Sequence, residues 1–532
     1  MSMRALYIGF GSPVWVEIAS SLQASMDLNP IYWSAHAGMQ PLVRQAFPDV
    51  VFHERFQAAR GVAPAEHAHL DPWPLDQALL QSLAPLESTV LQMMERMDGG
   101  RTFLYGDRVA LYHQLVRYWH SMLIQEKPSL LLFLSSPHFV YDFIAYYLAG
   151  VLGIRRLIFR HTSLPQLSYV GESIEAGSSG LRAAYRSAVE SSDETPVLLT
   201  PENEQYLSRL DNVYEGVEPD YMRRQRAATS RRVTTALFRH PRAAVGSALA
   251  GSKRVSHALV HRARAQTIVK SRNRPVEEAP SIFEYATLKL GAMAKLRRLK
   301  RTYDALASAP DLSVPYVFLA LHFQPERTTS PEAGVFARQE LIVSQLARHL
   351  PQGWRLYVKE HPTQFISENL FDSVGAQQRP DGFYRSISGH ANVQLIPLDT
   401  NPFSLIDGAR AVATATGTIG WEAVWRGRPV LTFGYPWYLG CEGVFQTMND
   451  NDLQRAMASV HRGVVVERKR VRQFVRTLEQ CGFLRRPIED VDDESKRDAR
   501  TDTQIIDSWS RAIERHLAHG PTSGDTLRNG LH

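Results

Sequence analysis

Short apolar runs alternate along this chain with longer stretches in which apolar residues recur every three or four positions, a pattern that marks strands followed by amphipathic helices. The first such runs are RALYIGF (Arg4–Phe10), LLLFLSS (Leu130–Ser136) and RRLIFRH (Arg155–His161), with helical periodicity over Asp107–Ile124 and Tyr141–Leu152. Over residues 1–210 this is the rhythm of βαβ units, and it predicts an N-terminal Rossmann-like α/β domain. Strand signals then stop. Residues 211–308 carry a basic segment and a helical run, Ile282–Leu306, with Lys and Arg on its polar face, and read as a helical insert or linker. Alternation resumes over 309–486 with PYVFLAL, WRLYVKE, NVQLIPL, AVATATG and PVLTFGY as strands, predicting a second Rossmann-like domain. Residues 487–532 end the chain as a helix, Thr503–His516, and a Gly/Ser/Thr-rich tail expected to be disordered. The expected fold is α/β: two Rossmann-like domains facing a cleft, with the basic insert between them.

Composition narrows the setting. A chain of 532 residues exceeds what one core holds, in keeping with two or three domains. Its two cysteines, Cys441 and Cys481, make no disulfide framework and have no metal-ligand spacing, which points to a reducing compartment. The N-terminus reads as a strand and turn without a cleavage site, so the chain is expected to be unprocessed and cytoplasmic. The most apolar region, Leu130–Ile154, is broken by Ser135, Ser136, Pro137, His138 and Asp142 and fails as a span of about 20 residues. Formal net charge is only +6, yet Tyr221–Pro275 holds fourteen Lys and Arg and no Asp or Glu. That segment is either a solvated linker or a contact with an anionic surface at the inner face of the plasma membrane. No nucleic-acid motif accompanies it, and a nucleic-acid partner is not expected.

In open α/β sheets ligands collect beyond the carboxyl ends of the strands, so the residues after each strand carry the candidate chemistry. In ATATGTIGWEAVWRGRPVLTFG (Ala413–Gly434) a strand turns into a helix through Thr416, Gly417 and Thr418. A turn lacking bulk presents backbone N–H groups and the positive helix end to a phosphate, while Glu422 is placed to reach a ribose or sugar hydroxyl. A plain helix N-cap reads the same way. LYVKEHP ends a strand in Lys359, Glu360, His361 and Pro362, with Lys359 a point charge and His361 a donor for a phosphate oxygen, or else an ordinary surface loop. His322, Gln324 and Glu326 follow the strand Pro315–Leu321 and offer polar groups to a sugar.

The first domain holds the candidates for a general base. His138 and Asp142 are one helical turn apart, and Arg160, His161, Thr162 and Ser163 are followed by Glu172 and Glu175. Spacing does not choose among Asp142, His138, His161, Glu172 and Glu175, and a cap or salt-bridge role suits Ser136 and Asp142 equally. Gly9 and Gly11 after the first strand lack the remainder of a dinucleotide fingerprint and read as a tight turn beside an acceptor. Walker A, GxSxG, HExxH and acidic-pair patterns are not found, so neither a metal nor a cofactor is expected.

HFQPERTTSP (His322–Pro331), LYVKEHP (Leu356–Pro362) and TGTIGWEAVWRGRPVLTFG (Thr416–Gly434), taken in that order, resemble the capsule polysaccharide synthesis family of bacterial glycosyltransferases. SSPHFVYDFIAYYLAGVLGI (Ser135–Ile154) is a softer echo in the first domain. The resemblance implies a GT-B architecture and Kdo-transferase-like chemistry. The nucleotide-sugar donor, CMP-, UDP- or GDP-linked, would sit in the second domain, with a saccharide or lipid-linked acceptor in the first. It assigns His361 and the Thr416–Thr418 turn to the donor phosphate. The basic segment has no counterpart in those motifs. A teichoic-acid-type polyol-phosphate transferase, a sugar-nucleotide 2-epimerase and a non-catalytic scaffold of polysaccharide assembly remain as alternatives.

Overall fold

The computed structural model describes residues 2–71, 73–97, 104–191, 196–212, 282–324, 326, 328–365, 379–484 and 502–518. The basic segment 221–275 and the chain end after 518 lie outside the described residues. Strands β1 (Met3–Ile8), β2 (Leu28–Ala35), β3 (Val51–Glu54), β4 (Leu130–Phe133), β5 (Arg155–His161) and β6 (Leu167–Gly171) belong to one sheet. Strands β7 (Tyr316–Ala320), β8 (Arg355–Lys359), β9 (Val393–Leu395), β10 (Ala411–Thr414), β11 (Val430–Thr432) and β12 (Val444–Gln446) form the other. A last short strand, β13 (Phe483–Leu484), returns to the first sheet. The chain is thus mixed α/β with two parallel-sheet domains, as the alternation predicts.

The second sheet runs β12-β11-β10-β7-β8-β9 with every pair parallel. Its strand order reverses between β7 and β10, the switch point at whose carboxyl strand ends open α/β sheets form a crevice. The first sheet runs β13-β6-β5-β4-β1-β2-β3, parallel except that β6 lies antiparallel to both β5 and β13. Its corresponding crevice lies between β1 and β4. Strands such as β4, buried along their whole length, read as continuous apolar runs because helices cover both faces. The core accordingly splits by strand parity: Leu6, Ile8, Leu131 and Phe133 pack on one face, Ala5, Tyr7, Leu130 and Leu132 on the other.

The halves are interlocked by the C-terminal chain. β13 pairs with β6, and helix Asp502–Ala518 packs on helix Val14–Met26 of the first domain. Trp509 seals this return, its ring 4.2 Å from Trp15, 4.0 Å from Phe483 and 4.9 Å from Phe159. The helix set apart by sequence as a terminal extension therefore completes the first domain's core. On the other side Leu164, Tyr169 and Tyr185 share a cluster with Trp421, Trp437 and Phe474 of the second half. No helix among the described residues is long and apolar enough to cross a membrane.

Beneath the first sheet two histidines are held neutral. His53 Nε2 lies 2.7 Å from the Val62 carbonyl, to which it donates, so Nδ1 accepts the Tyr32 hydroxyl at 2.7 Å. His67 Nδ1 meets the Tyr118 hydroxyl at 2.8 Å. Burial pushes both imidazoles down from 6.5 to about 4. Unfolding restores the ordinary value, so protons bind the unfolded chain first, and stability is lost as pH falls from about 6.5 towards 4. For His53 the drop from 6.5 to about 4 corresponds to about 3 kcal/mol. Denaturant unfolding followed at pH 7 and pH 5 should show this loss, relieved in part in His53→Gln; a flat profile over that interval contradicts the assignment.

Candidate functional site

The second sheet's crevice is built from three strand ends. β7 leads into His322, β8 into Lys359 to Pro362, and β10 into Thr416 to Thr418. His322 lies under the turn rather than in the open. Its Nε2 accepts the Thr416 N–H at 3.2 Å and stands 2.8 Å from the Thr414 hydroxyl, which in turn accepts the Gly417 N–H at 3.2 Å. Burial, then the nearby Arg379 charge, hold the His322 ring down at about 4, so it is neutral and its proton sits on Nδ1. The Thr416 hydroxyl donates to the Thr328 carbonyl at 2.5 Å. Thr416 and Gly417 thus spend their N–H groups inside the protein, contrary to the expectation that these would face the ligand. The helix Thr418–Trp425 starts one residue later, and its Thr418 and Ile419 N–H groups have no acceptor among the described residues. Thr418 is exposed, so the donors of the turn that are open to solvent are at the helix start, Thr418–Ile419, an arrangement that suits an anion.

His361 follows β8 and lies close enough to His322, the residue beneath the turn, for their charges to interact. Its Nδ1 accepts the Thr363 N–H at 3.3 Å and the Thr363 hydroxyl at 2.5 Å, which fixes the proton of the neutral ring on Nε2. Burial, then His322, Lys359 and Arg379, hold this imidazole down at about 3. His361 is therefore a neutral N–H donor over the working pH range. Lys359 is buried at the end of β8, and Pro362 opens a short turn, Pro362–Phe365.

Three predicted ligand contacts have other duties. Glu360 is buried in a two-pronged ion pair with Arg379, Nε to Oε2 at 2.9 Å and Nη2 to Oε1 at 3.0 Å. The Glu360 carboxylate also accepts the Tyr384 hydroxyl at 2.7 Å and the His361 N–H at 2.8 Å, leaving it no capacity for a sugar. Gln324 ties loops together: its N–H donates to Gln364 and its side-chain amide to the Ala337 carbonyl. Glu326 supplies its carbonyl to Thr329 and Ser330. Glu422 is buried beside Tyr206 and Tyr438, and burial raises its carboxyl to about 7, with Arg426 opposing. Sequence reading missed Arg379, which contacts the β7 and β8 loops from nineteen residues beyond Glu360. Among the described residues, no group of three or more His, Cys, Asp or Glu is placed to hold a metal ion.

In the first domain the base candidates separate. Asp142 accepts the His138 N–H at 3.2 Å across the start of helix Val140–Val151, the bond of a helix cap. His138 Nδ1 lies 3.0 Å from the Ser136 carbonyl and donates to it, so Nε2 is the basic nitrogen. Glu172 accepts the Ser179 N–H at 2.9 Å, the Ser179 hydroxyl at 2.6 Å and meets His516 Nε2 at 3.0 Å. Burial pushes its carboxyl up, but the bonds from His516 and Ser179 outweigh this and hold it at about 2, too weak a base for the task. His161 is engaged with Ser168 across the β5–β6 hairpin at 3.0 Å. Glu175 is exposed near Tyr435 and accepts the Tyr146 hydroxyl at 2.6 Å.

Residues 327–463 match the family described as "Capsule polysaccharide biosynthesis protein". The resemblance to capsule synthesis is thus shown over a stretch that includes His361, Arg379 and the Thr416–Thr418 turn. The chain is also similar to the capsule polysaccharide modification protein LipA of Neisseria meningitidis, 32% identical over 82 residues, which is 14% of this chain and 12% of that relative. The chain therefore matches only about an eighth of that relative's length. Among solved structures it is similar to Thermosulfurimonas dismutans KpsC, a β-Kdo 2,7 transferase, at 15% identity and TM-score 0.22, covering 37% of this chain and 57% of that one. It is similar as well to UDP-GlcNAc 2-epimerase from Methanocaldococcus jannaschii, at 11% identity and TM-score 0.22, covering 90% and 100%. At such scores the architecture rests on the strand orders described above.

A Cβ at Gly417 would lie 2.8 Å from Thr414 Oγ1 and 3.0 Å from His322 Cε1, so Gly417→Ala must displace the support of the turn. We expect this variant to keep its far-ultraviolet circular dichroism while nucleotide binding, read by calorimetry, weakens at least about tenfold, or about 1.4 kcal/mol. Undiminished affinity would remove the turn from the binding site.

Proposed function

We propose that this protein is a glycosyltransferase of capsular polysaccharide synthesis, moving a sugar from a nucleotide-activated donor to a growing saccharide or its lipid-linked form. The observation that carries this reading is the helix start at Thr418 and Ile419, whose N–H groups have no acceptor among the described residues, at a strand end of the segment that matches the capsule family and that also holds the neutral donor His361. That combination suits a phosphate leaving group. The donor class of the sequence resemblance, a CMP-linked acidic sugar of the Kdo kind, is retained ahead of UDP- and GDP-sugars.

In the proposed mechanism the donor's phosphate rests on the helix start, while Glu422, expected from sequence to take a ribose or sugar hydroxyl, is buried behind it. The acceptor hydroxyl attacks the anomeric carbon as the bond from that carbon to the leaving phosphate oxygen breaks. The proton passes to His138 Nε2 or to Glu175, and charge growing on the phosphate is met by Thr418, Ile419, His361 and Lys359. Donors fixed in place before the reaction stabilise that charge without reorganisation. Chelator should leave turnover intact, since no step calls on a metal. An anionic membrane surface is the proposed neighbour of segment 221–275.

The test is nucleotide release from CMP-, UDP- and GDP-sugars in the presence and absence of capsular oligosaccharide. Acceptor-dependent release is expected, falling about 10²-fold or more in His361→Ala with thermal stability retained. Full turnover in His361→Ala would refute the phosphate assignment; release without acceptor would refute transfer.

A further inference from the structure

We propose that Arg160 is a positioning residue that clasps the loop bearing His138, one of the two candidate bases, to the loop supporting the donor turn. It stands near the end of β5 in the first domain and is buried. Both terminal nitrogens are committed, and to opposite halves of the chain. Nη1 donates to the Ser136 hydroxyl at 3.0 Å and pairs with Glu332 Oε1 at 3.6 Å, while Nη2 donates to the Tyr435 carbonyl. Ser136 lies two residues before His138, whose Nδ1 donates to the Ser136 carbonyl.

On the far side the contacts lead to the donor turn. The Tyr435 N–H donates to the Glu332 carbonyl at 3.2 Å. Between Tyr435 and β11 stands Gly434, where an added Cβ would lie 2.7 Å from Thr416 Cγ2 and 2.8 Å from the Glu332 carbonyl. Gly434, next to one Arg160 partner and against the carbonyl of the other, therefore abuts Thr416 itself, the residue that His322 holds from below. One guanidinium thus links the His138 loop to the phosphate turn without occupying either. A second tie runs alongside it, from the Tyr169 hydroxyl to the Trp437 carbonyl at 3.1 Å.

The chemistry suits a latch. A planar guanidinium serves several acceptors at fixed angles, which an ammonium does not. Its charge is compensated by Glu332 only while the halves are together; on opening, water hydrates both ions. The clasp consequently favours the closed arrangement in which proton acceptor and leaving group face each other. Its catalytic consequence rests on the transfer reading above, and its conformational consequence does not.

The full-length double variant Arg160→Met/Glu332→Gln removes both charges without stranding either in the interior. Small-angle scattering, nucleotide affinity and turnover are compared with the parent. A wider particle, turnover reduced tenfold or more and nucleotide Kd within threefold of the parent are expected. Should that variant not fold, Ser136→Ala, which deletes one bond and keeps the ion pair, should shift the same readouts in the same direction. Unchanged scattering with unchanged turnover overturns the clasp. So does a loss of nucleotide binding equal to the loss of turnover, which would move Arg160 into the donor site. If no donor is turned over by the parent, the transfer reading fails alone, and a widened variant still upholds the clasp.

Discussion

The ion pair between Glu360 and Arg379 organises the ligand edge of the second sheet. Both side chains are withdrawn from water, so each charge needs its partner and the surrounding hydrogen bonds to be tolerated at all. The same two groups hold the His361 N–H and the His322 carbonyl, and thereby fix the loops after β8 and β7 relative to each other. Tyr384 and Tyr303 close the network, the latter accepting the Glu360 N–H and donating to the Ile396 carbonyl. Removing one partner of such a pair costs about 3–5 kcal/mol because the other charge is stranded. The donor geometry of His361 and the support of His322 beneath the turn both depend on it.

From this edge the remainder of the site follows by contact. His322 occupies the acceptor side of the Thr416 N–H, Thr414 that of Gly417, and the first N–H groups left over are those at the helix start. Burial keeps His322 and His361 from protonating, and the positive charge of Arg379 adds to it. Across the seam, Arg160 joins the Ser136 hydroxyl of the first half to Glu332 and the Tyr435 carbonyl of the second. The C-terminal return through β13 and Trp509 closes the first domain around the chain that comes back from the second. Packing, electrostatics and topology meet at one cleft.

Much of the scaffold was legible in the sequence because parallel strands buried on both faces read as uninterrupted apolar runs, as LLLFLSS and PYVFLAL do. The strand-end rule then singled out His361 and the Thr416–Thr418 turn as candidates, and both follow strands of the second sheet. What periodicity does not carry is the allocation of polar atoms. Glu360 and His361 are neighbours of equal promise in LYVKEHP, yet one is consumed by Arg379 and the other keeps an outward donor, a difference made by residues distant in sequence. Glu172 has the spacing of a base in the sequence, but Ser179 and His516 occupy its carboxylate. Arg379 gave no signal because it follows no strand and belongs to no motif. β13 is too short to announce itself by alternation.

The central claim is that the phosphate of a nucleotide donor rests on the start of the helix Thr418–Trp425. A structure of the full chain with CMP or a CMP-sugar tests it most directly. The account predicts a phosphate oxygen within hydrogen-bond distance of the Thr418 or Ile419 N–H, with His361 Nε2 on the same group. A nucleotide bound with its phosphate elsewhere, or seated in the first sheet's crevice beside Gly9 and His138, would contradict it.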